Sequence, residues 1–206
     1  MKKLIIATVT ITSFALAHAE ASDKKTFSYD YVQGNYSSGS VQTTSAGDVI
    51  GADVTGFQGV ISKSVTDNIY ITASYGSVSS NSMKFNSTSY AVKTDVQVSS
   101  VGIGYRLPLS EVVDLNFDIA ASSGTTKASG LGLAISESKT IYPFGAALRF
   151  KVAKGVELST AFSTASGNTS FSLGGGFAVS KDFYLVAGYA SSDETKGTSL
   201  GFRFNF

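Results

Sequence analysis

Asp30, Arg106, Asp118, Arg149, Glu157 and Arg203 are the residues of this chain best placed to do chemistry together. Each stands in a stretch where large side chains alternate with small or polar ones, so a shared face would gather them. Carboxylates and guanidiniums brought together out of water pair by charge-assisted hydrogen bonds. That is fixed-charge chemistry, and the chain offers little for bond making. Its single histidine is His18, inside the apolar leader, and it has no cysteine. No thiolate nucleophile, disulfide or thiolate metal site is therefore possible. Serines are abundant, but a serine hydroxyl needs an adjacent base to attack a carbonyl. Asp114 and Asp118 lie four apart on a strand, ~13 Å at the usual rise, too far to share a proton. The Asp193-Glu194 pair brings no further oxygen ligands for Ca²⁺. The Gly174-Gly175-Gly176 run is followed by neither Lys-Ser/Thr nor a helix, so close strand packing explains it better than a phosphate loop. The expectation is a protein without enzyme activity, cofactor or metal.

The elements that must position these residues are strands. In Leu115–Ser122, Leu115, Phe117, Ile119 and Ala121 oppose Asn116, Asp118, Ala120 and Ser122. In Tyr142–Val152, Tyr142, Phe144, Ala146, Leu148, Phe150 and Val152 oppose Pro143, Gly145, Ala147, Arg149 and Lys151. Val101, Ile103, Tyr105 and Leu107 likewise oppose Ser100, Gly102, Gly104 and Arg106. Period-two alternation makes one face apolar and the other polar. The polar face is mostly Gly, Ala and Ser with isolated charges. A water-facing surface would carry many more Lys and Glu, whereas small residues suit the crowded interior of a narrow barrel. A soluble sandwich or lipocalin-like barrel would point the faces the other way. The inverted reading places Asp30, Arg106, Asn116, Asp118, Arg149, Glu157, Arg203 and Asn205 in the lumen, with Asp114 and Lys151 near one mouth. Matched acids and bases there predict a hydrated Arg–carboxylate network, either a plug or a selective constriction.

Four stretches read as one repeated hairpin: Gly56–Tyr75, Val101–Ala121, Phe144–Phe162 and Phe171–Tyr189. Their turns centre on Thr66-Asp67-Asn68, Pro108 to Asp114, Ala153-Lys154-Gly155 and Ser180-Lys181-Asp182, which carry turn-forming residues. With Phe27–Tyr36 before them and Thr198–Phe206 after, they make ten strands. Eight is the alternative if the first strand or Phe171–Ser180 is misread. The fold expected is all-β, a closed antiparallel up-and-down transmembrane β-barrel, since a sheet in hydrocarbon cannot keep an edge. Ser37–Asp48, Ser80–Ala91, Ala128–Ser138, Ser166–Asn168 and Ser191–Gly197 are the expected outer loops, and the tight turns face the periplasm. Tyr36, Tyr75, Tyr142 and Tyr189 are candidates for the outer aromatic girdle, and Phe27, Tyr105, Phe150, Phe183 and Phe206 for the inner one.

The beginning of the chain fits export. Lys2 and Lys3 precede an apolar run, Leu4 to Leu16, and then Ala17-His18-Ala19. These are the parts of a secretory signal peptide, residues 1–19, with cleavage expected after Ala19. The run is shorter than the ~20 residues of a spanning helix. Residues 20–206 then form one barrel domain. Charged residues make up 15% of the chain, well under the ~25% of a soluble domain. Lys and Arg number 16 against 15 acidic residues, so there is no basic stripe to bind nucleic acid.

The end of the chain carries a resemblance. Leu200-Gly201-Phe202-Arg203-Phe204-Asn205-Phe206 alternates to a terminal aromatic. This resembles the closing strand of Gram-negative outer-membrane barrels, and the size is similar to that of the OmpA and OmpX barrels, which have eight strands. Tyr29-Asp30-Tyr31-Val32-Gln33-Gly34-Asn35-Tyr36 looks like the opening strand of a group of small barrels of unassigned role. The resemblance implies outer-membrane location, periplasmic chaperones and the barrel-assembly machinery as partners during biogenesis, and Phe202, Phe204 and Phe206 as the insertion signal. Outer-membrane lipid and lipopolysaccharide would surround a monomer, with Lys84, Lys93, Lys127, Lys139 and Lys196 near the phosphates as solvated charges. The functional expectation is an envelope-structural or surface-interaction barrel with a largely plugged lumen; the alternative is a narrow porin-like channel.

Overall fold

The computed structural model describes residues 27–45, 48–86, 88–130 and 132–206. The signal peptide and its cleavage after Ala19 lie outside the described residues. The strands are β1 (Tyr31–Ser45), β2 (Asp48–Ser64), β3 (Ile69–Ser80), β4 (Met83–Phe85), β5 (Thr88–Tyr90), β6 (Lys93–Ser110) and β7 (Val113–Gly130), followed by β8 (Leu133–Ile141), β9 (Phe144–Ala153), β10 (Val156–Ala165), β11 (Asn168–Ala178), β12 (Phe183–Ser192) and β13 (Thr195–Asn205). All neighbours are antiparallel. Closure falls on β1, where Tyr31 pairs with Ser62 of β2 on one side and Asn205 of β13 on the other.

Eleven of these segments make a wall of ten strands. β8 and β9 are one wall strand interrupted at Pro143, since both pair with β7, through Ser122↔Ile141 and Ile119↔Phe144. A proline cannot donate to the ladder, which explains the break. β4 and β5 form a small hairpin at the top of β2. Outside the wall, Tyr36, Phe57, Val101, Ile103, Tyr142, Phe162, Leu200 and Phe202 are exposed. The opposite parity is buried and polar, including Ser62, Asn116, Arg149, Ser159 and Arg203. A greasy exterior around a hydrophilic interior is stable only with hydrocarbon outside. The fold class expected from the alternation is the one observed.

The strands are unequal in height, and this corrects the expected loops. β10 to β13 have 10 or 11 residues, about what a bilayer requires, whereas β6 and β7 have 18. The segments 37–48 and 128–138, read as loops, are mostly strand: β1 runs to Ser45, β7 to Gly130 and β8 starts at Leu133. Beyond the bilayer both faces of a strand meet water, so the alternation that marks a strand in the sequence disappears. One side of the barrel therefore carries a tall wall, from β1 through β8, above the short turns that join β10 to β11 and β12 to β13.

The other end has four tight turns, as the sequence suggested. Thr66 Oγ1 accepts hydrogen bonds from the Asn68 and Ile69 amides in the first, and Gly155 adopts φ +74° in the third. The first strand begins later than the expected Phe27. Residues 27–29 turn inward instead of continuing the wall.

Candidate functional site: a charged aromatic plug in the lumen

Phe27, Tyr29 and Tyr31 enter the lumen at the tight-turn end, and each is buried. They pack with Val60 and Tyr70. The Tyr29 and Tyr70 rings stack with centroids 4.5 Å apart. Tyr70 lies flat across the lumen face of β6, where a side chain at Gly104 would collide with its ring. Glycine at that position lets the Tyr70 hydroxyl pass over β6 and donate to Asp118 Oδ1 on β7, at 2.6 Å.

Three arginines each lie against a lumen aromatic ring. Arg106 Nε lies 2.6 Å from Asp114 Oδ2, and both side chains are buried. Tyr29 donates to Asn116 Oδ1 at 2.6 Å and reaches Asp114 Oδ2 at 3.3 Å. The Arg149 guanidinium lies 4.4 Å from the Phe27 ring centre and 4.9 Å from that of Tyr29. Arg203 stacks on Tyr184 at 4.2 Å and donates from Nε to Asn205 Oδ1 at 3.0 Å. Glu157 stands between the last two arginines, 3.8 Å from Arg149 and 3.7 Å from Arg203. Arg149, Glu157 and Arg203 are exposed by 1, 2 and 0%. Planar guanidiniums suit this role because they bind carboxylate at the edge and aromatic rings at the face.

Five of the six charges singled out from the sequence, Arg106, Asp118, Arg149, Glu157 and Arg203, thus point into one lumen cluster. The sixth is a correction. Asp30 lies at the tight-turn rim, where its carboxylate accepts from the Ser64 amide at 2.6 Å and from Lys63 at 3.2 Å. Parity is the reason: Asp30 shares the outward register of Val32 and Tyr36, while Tyr29, Tyr31, Gln33 and Asn35 face inward. Partial burial alone would raise the Asp30 carboxyl, but the Ser64 amide and the Lys63 ammonium outweigh it and hold it below the ordinary carboxylate range. Phe27 is a second correction, since it is a buried lumen residue and no part of the inner aromatic girdle. Asp114, placed near the mouth by the sequence, is fully buried.

Tyr29, Tyr31, Tyr70 and Tyr184 are lumen residues beyond those expected from the sequence, which placed only charged, amide and small side chains there. Their register would have found them: Tyr184 shares parity with Val186, and its neighbours Phe183 and Leu185 face outward. Phe202, Phe204 and Phe206 are exposed on the outer face, alternating with buried Arg203 and Asn205. Among the loop lysines, Lys84 pairs with Asp53 at 2.9 Å and Lys93 with Asp95 at 3.2 Å.

Beyond the plug, the outer half of the lumen holds a cavity of about 180 Å³ lined by Gln33, Asn35, Gln58, Ser172 and Ser199. No group of three or more His, Cys, Asp or Glu able to hold a metal occurs among the described residues. Chemically the arrangement is a set of fixed charges of both signs beneath a vestibule of mixed polar and apolar lining.

The wall, its closure at β1 and its inverted polarity decide the architecture. The fold is that of the outer-membrane β-barrels. It is similar to the transport unit of the autotransporter AIDA-I from Escherichia coli, with a TM-score of 0.59 and 8% identity over 93% of this chain and 94% of that one. It is also similar to the translocator domain of autotransporter NalP from Neisseria meningitidis, with a TM-score of 0.56 and 10% identity over 85% of this chain and 88% of that one. At such identity the likeness is one of fold. No family model and no curated protein matches the sequence.

Proposed function

We propose that this chain is a non-enzymatic outer-membrane barrel, closed to solutes by its lumen plug, that serves envelope structure and surface interaction through its tall outer wall. The observation that carries this reading is the cluster of Phe27, Tyr31, Arg149, Glu157 and Arg203, whose side chains are almost fully buried inside the barrel. Each lumen acid faces an arginine or a tyrosine, so the cluster supplies neither a free acid nor a free base for catalysis. An exported chain cleaved after Ala19, assisted by periplasmic chaperones and inserted as a monomer by the barrel-assembly machinery, is the corresponding route. In this reading the tight turns face the periplasm and the tall wall faces outward through the lipopolysaccharide.

Planar bilayers test the closure. Purified, folded protein is expected to give no reproducible single-channel steps. Steady unitary conductance, altered in ion selectivity by Arg149→Ala or Arg203→Ala, would replace this reading with that of a narrow channel, which the outer cavity favours. The lack of a base for serine is tested by turnover of lipid and peptide substrates, with none expected.

A further inference from the structure

The tall wall ends in an open edge. β8 pairs with β7 along its length, from Ser122↔Ile141 to Gly130↔Leu133, and among the described residues no strand pairs with its other side. Unequal height is the cause. The next wall strand, β10, stops at Ala165, and β9 meets it only as far as Phe144↔Thr164. Above that level β8 has no neighbour on this side among the described residues, so alternate backbone N–H and C=O groups face water, where an added strand can bind them.

The residues on this edge are Ile135-Ser136-Glu137-Ser138-Lys139-Thr140-Ile141, and the segment is self-complementary about Ser138. In an antiparallel pair of two such segments, Glu137 faces Lys139 of the other copy and Lys139 faces its Glu137. Ser136 faces Thr140, and Ile135 faces Ile141. Glu137, Ser138, Lys139 and Thr140 are all exposed. Alternation sets Ile135, Glu137, Lys139 and Ile141 on one face and the three hydroxyl residues on the other, so every cross-strand pair is matched. A lone lysine on an open edge ordinarily keeps a second strand away. Here Glu137 converts that repulsion into attraction for one partner and one orientation. Parallel pairing would set Glu137 against Glu137 and Lys139 against Lys139, which is unfavourable.

We propose that the β8 edge is a homotypic docking strand whose partner is β8 of a second copy of this chain on an opposing membrane. The opposing membrane follows from symmetry. Two antiparallel strands of one sheet are related by a two-fold axis normal to that sheet, and the normal of a barrel wall is perpendicular to the barrel axis. The rotation therefore inverts the barrel axis, so both copies cannot share a membrane. With strands tilted by the usual 35–45°, pairing about Ser138 holds the two bilayer surfaces roughly 30–40 Å apart. One such contact is small and weak, and many between two facing membranes act together. Within its own membrane the protein remains a monomer. The inference rests on the surface-interaction reading through the outward direction of the tall wall, and a conducting lumen leaves it untouched.

Vesicles reconstituted with the tall wall outward, verified by cleavage of the outer strands with added protease, provide the test by light scattering. Wild-type vesicles are expected to cluster, and Glu137→Lys vesicles and Lys139→Glu vesicles each to remain dispersed like protein-free ones. Mixing the two variant populations is expected to restore clustering, because the all-basic edge then meets the all-acidic one. The double exchange Glu137→Lys with Lys139→Glu is expected to cluster by itself. Both substituted positions are exposed and outside the plug, and the heat-modifiable gel shift confirms folding of each variant. Dispersed wild-type vesicles, clustering single variants, or a mixture that stays dispersed would each overturn the proposal.

Discussion

Arg149 holds its guanidinium 4.4 Å from the centre of the Phe27 ring, tying a residue that precedes the first strand to the middle of the wall. The contact is buried on both sides. It makes the entering chain part of the lumen filling.

Phe27→Ala is expected to destabilise the barrel by about 3 kcal/mol, from lost burial and lost cation–π attraction. Urea unfolding in detergent micelles measures this. Phe150→Ala, on the half-exposed outer face, serves as the control and is expected to cost less.

Glu157 neutralises two arginines at once, at 3.8 and 3.7 Å. Glu157→Gln keeps the shape and removes the charge, leaving Arg203 without its carboxylate and Arg149 with only Asp114 and Asp118 as acids. The expected cost is about 3–5 kcal/mol, read as a lower temperature for loss of the folded gel band. Adding Arg203→Met to that variant is expected to recover part of the loss, because one uncompensated cation is then gone.

Asp30 links stability to pH at the rim. Its folded-state pKa is lowered, so its contribution is present above the ordinary carboxylate range and is lost as pH falls through the depressed value. The denaturation midpoint in micelles is expected to drop in acid, and Asp30→Asn to flatten that drop. An unchanged acid limb in the variant would assign the effect to other groups.

Phe206 bonds its amide to the Asp30 carbonyl at 3.1 Å, and its ring lies 5.3 Å from the Lys63 ammonium. Its side chain is 56% exposed on the outer face, where it adds little to packing. Deleting Phe206 is expected to lower the amount of folded, heat-modifiable barrel in outer-membrane fractions while leaving the stability of the inserted fraction nearly unchanged. Wild-type amounts would count against the expectation, carried by the resemblance, that Phe206 is part of an insertion signal.

The alternation in Val101–Leu107, Leu115–Ser122, Tyr142–Val152 and Leu200–Phe206 was enough to predict a closed barrel with Arg106, Arg149 and Arg203 inside, and the hairpin repeat favoured ten strands over eight. Those strands cross hydrocarbon, where the two faces meet opposite solvents and the sequence must alternate. Only the tertiary structure decided what lies beyond that zone. The upper parts of β1, β7 and β8 meet water on both faces, so their residues carry no period and resemble loops. Phe27 and Asp30 sit where the chain enters the barrel, and their placement depends on which neighbour accepts the entering segment. The partners within the lumen, such as Glu157 between Arg149 and Arg203, come from different strands and are set by the stagger of the closed sheet. That stagger is a property of the whole ring of pairings, and no single strand contains it.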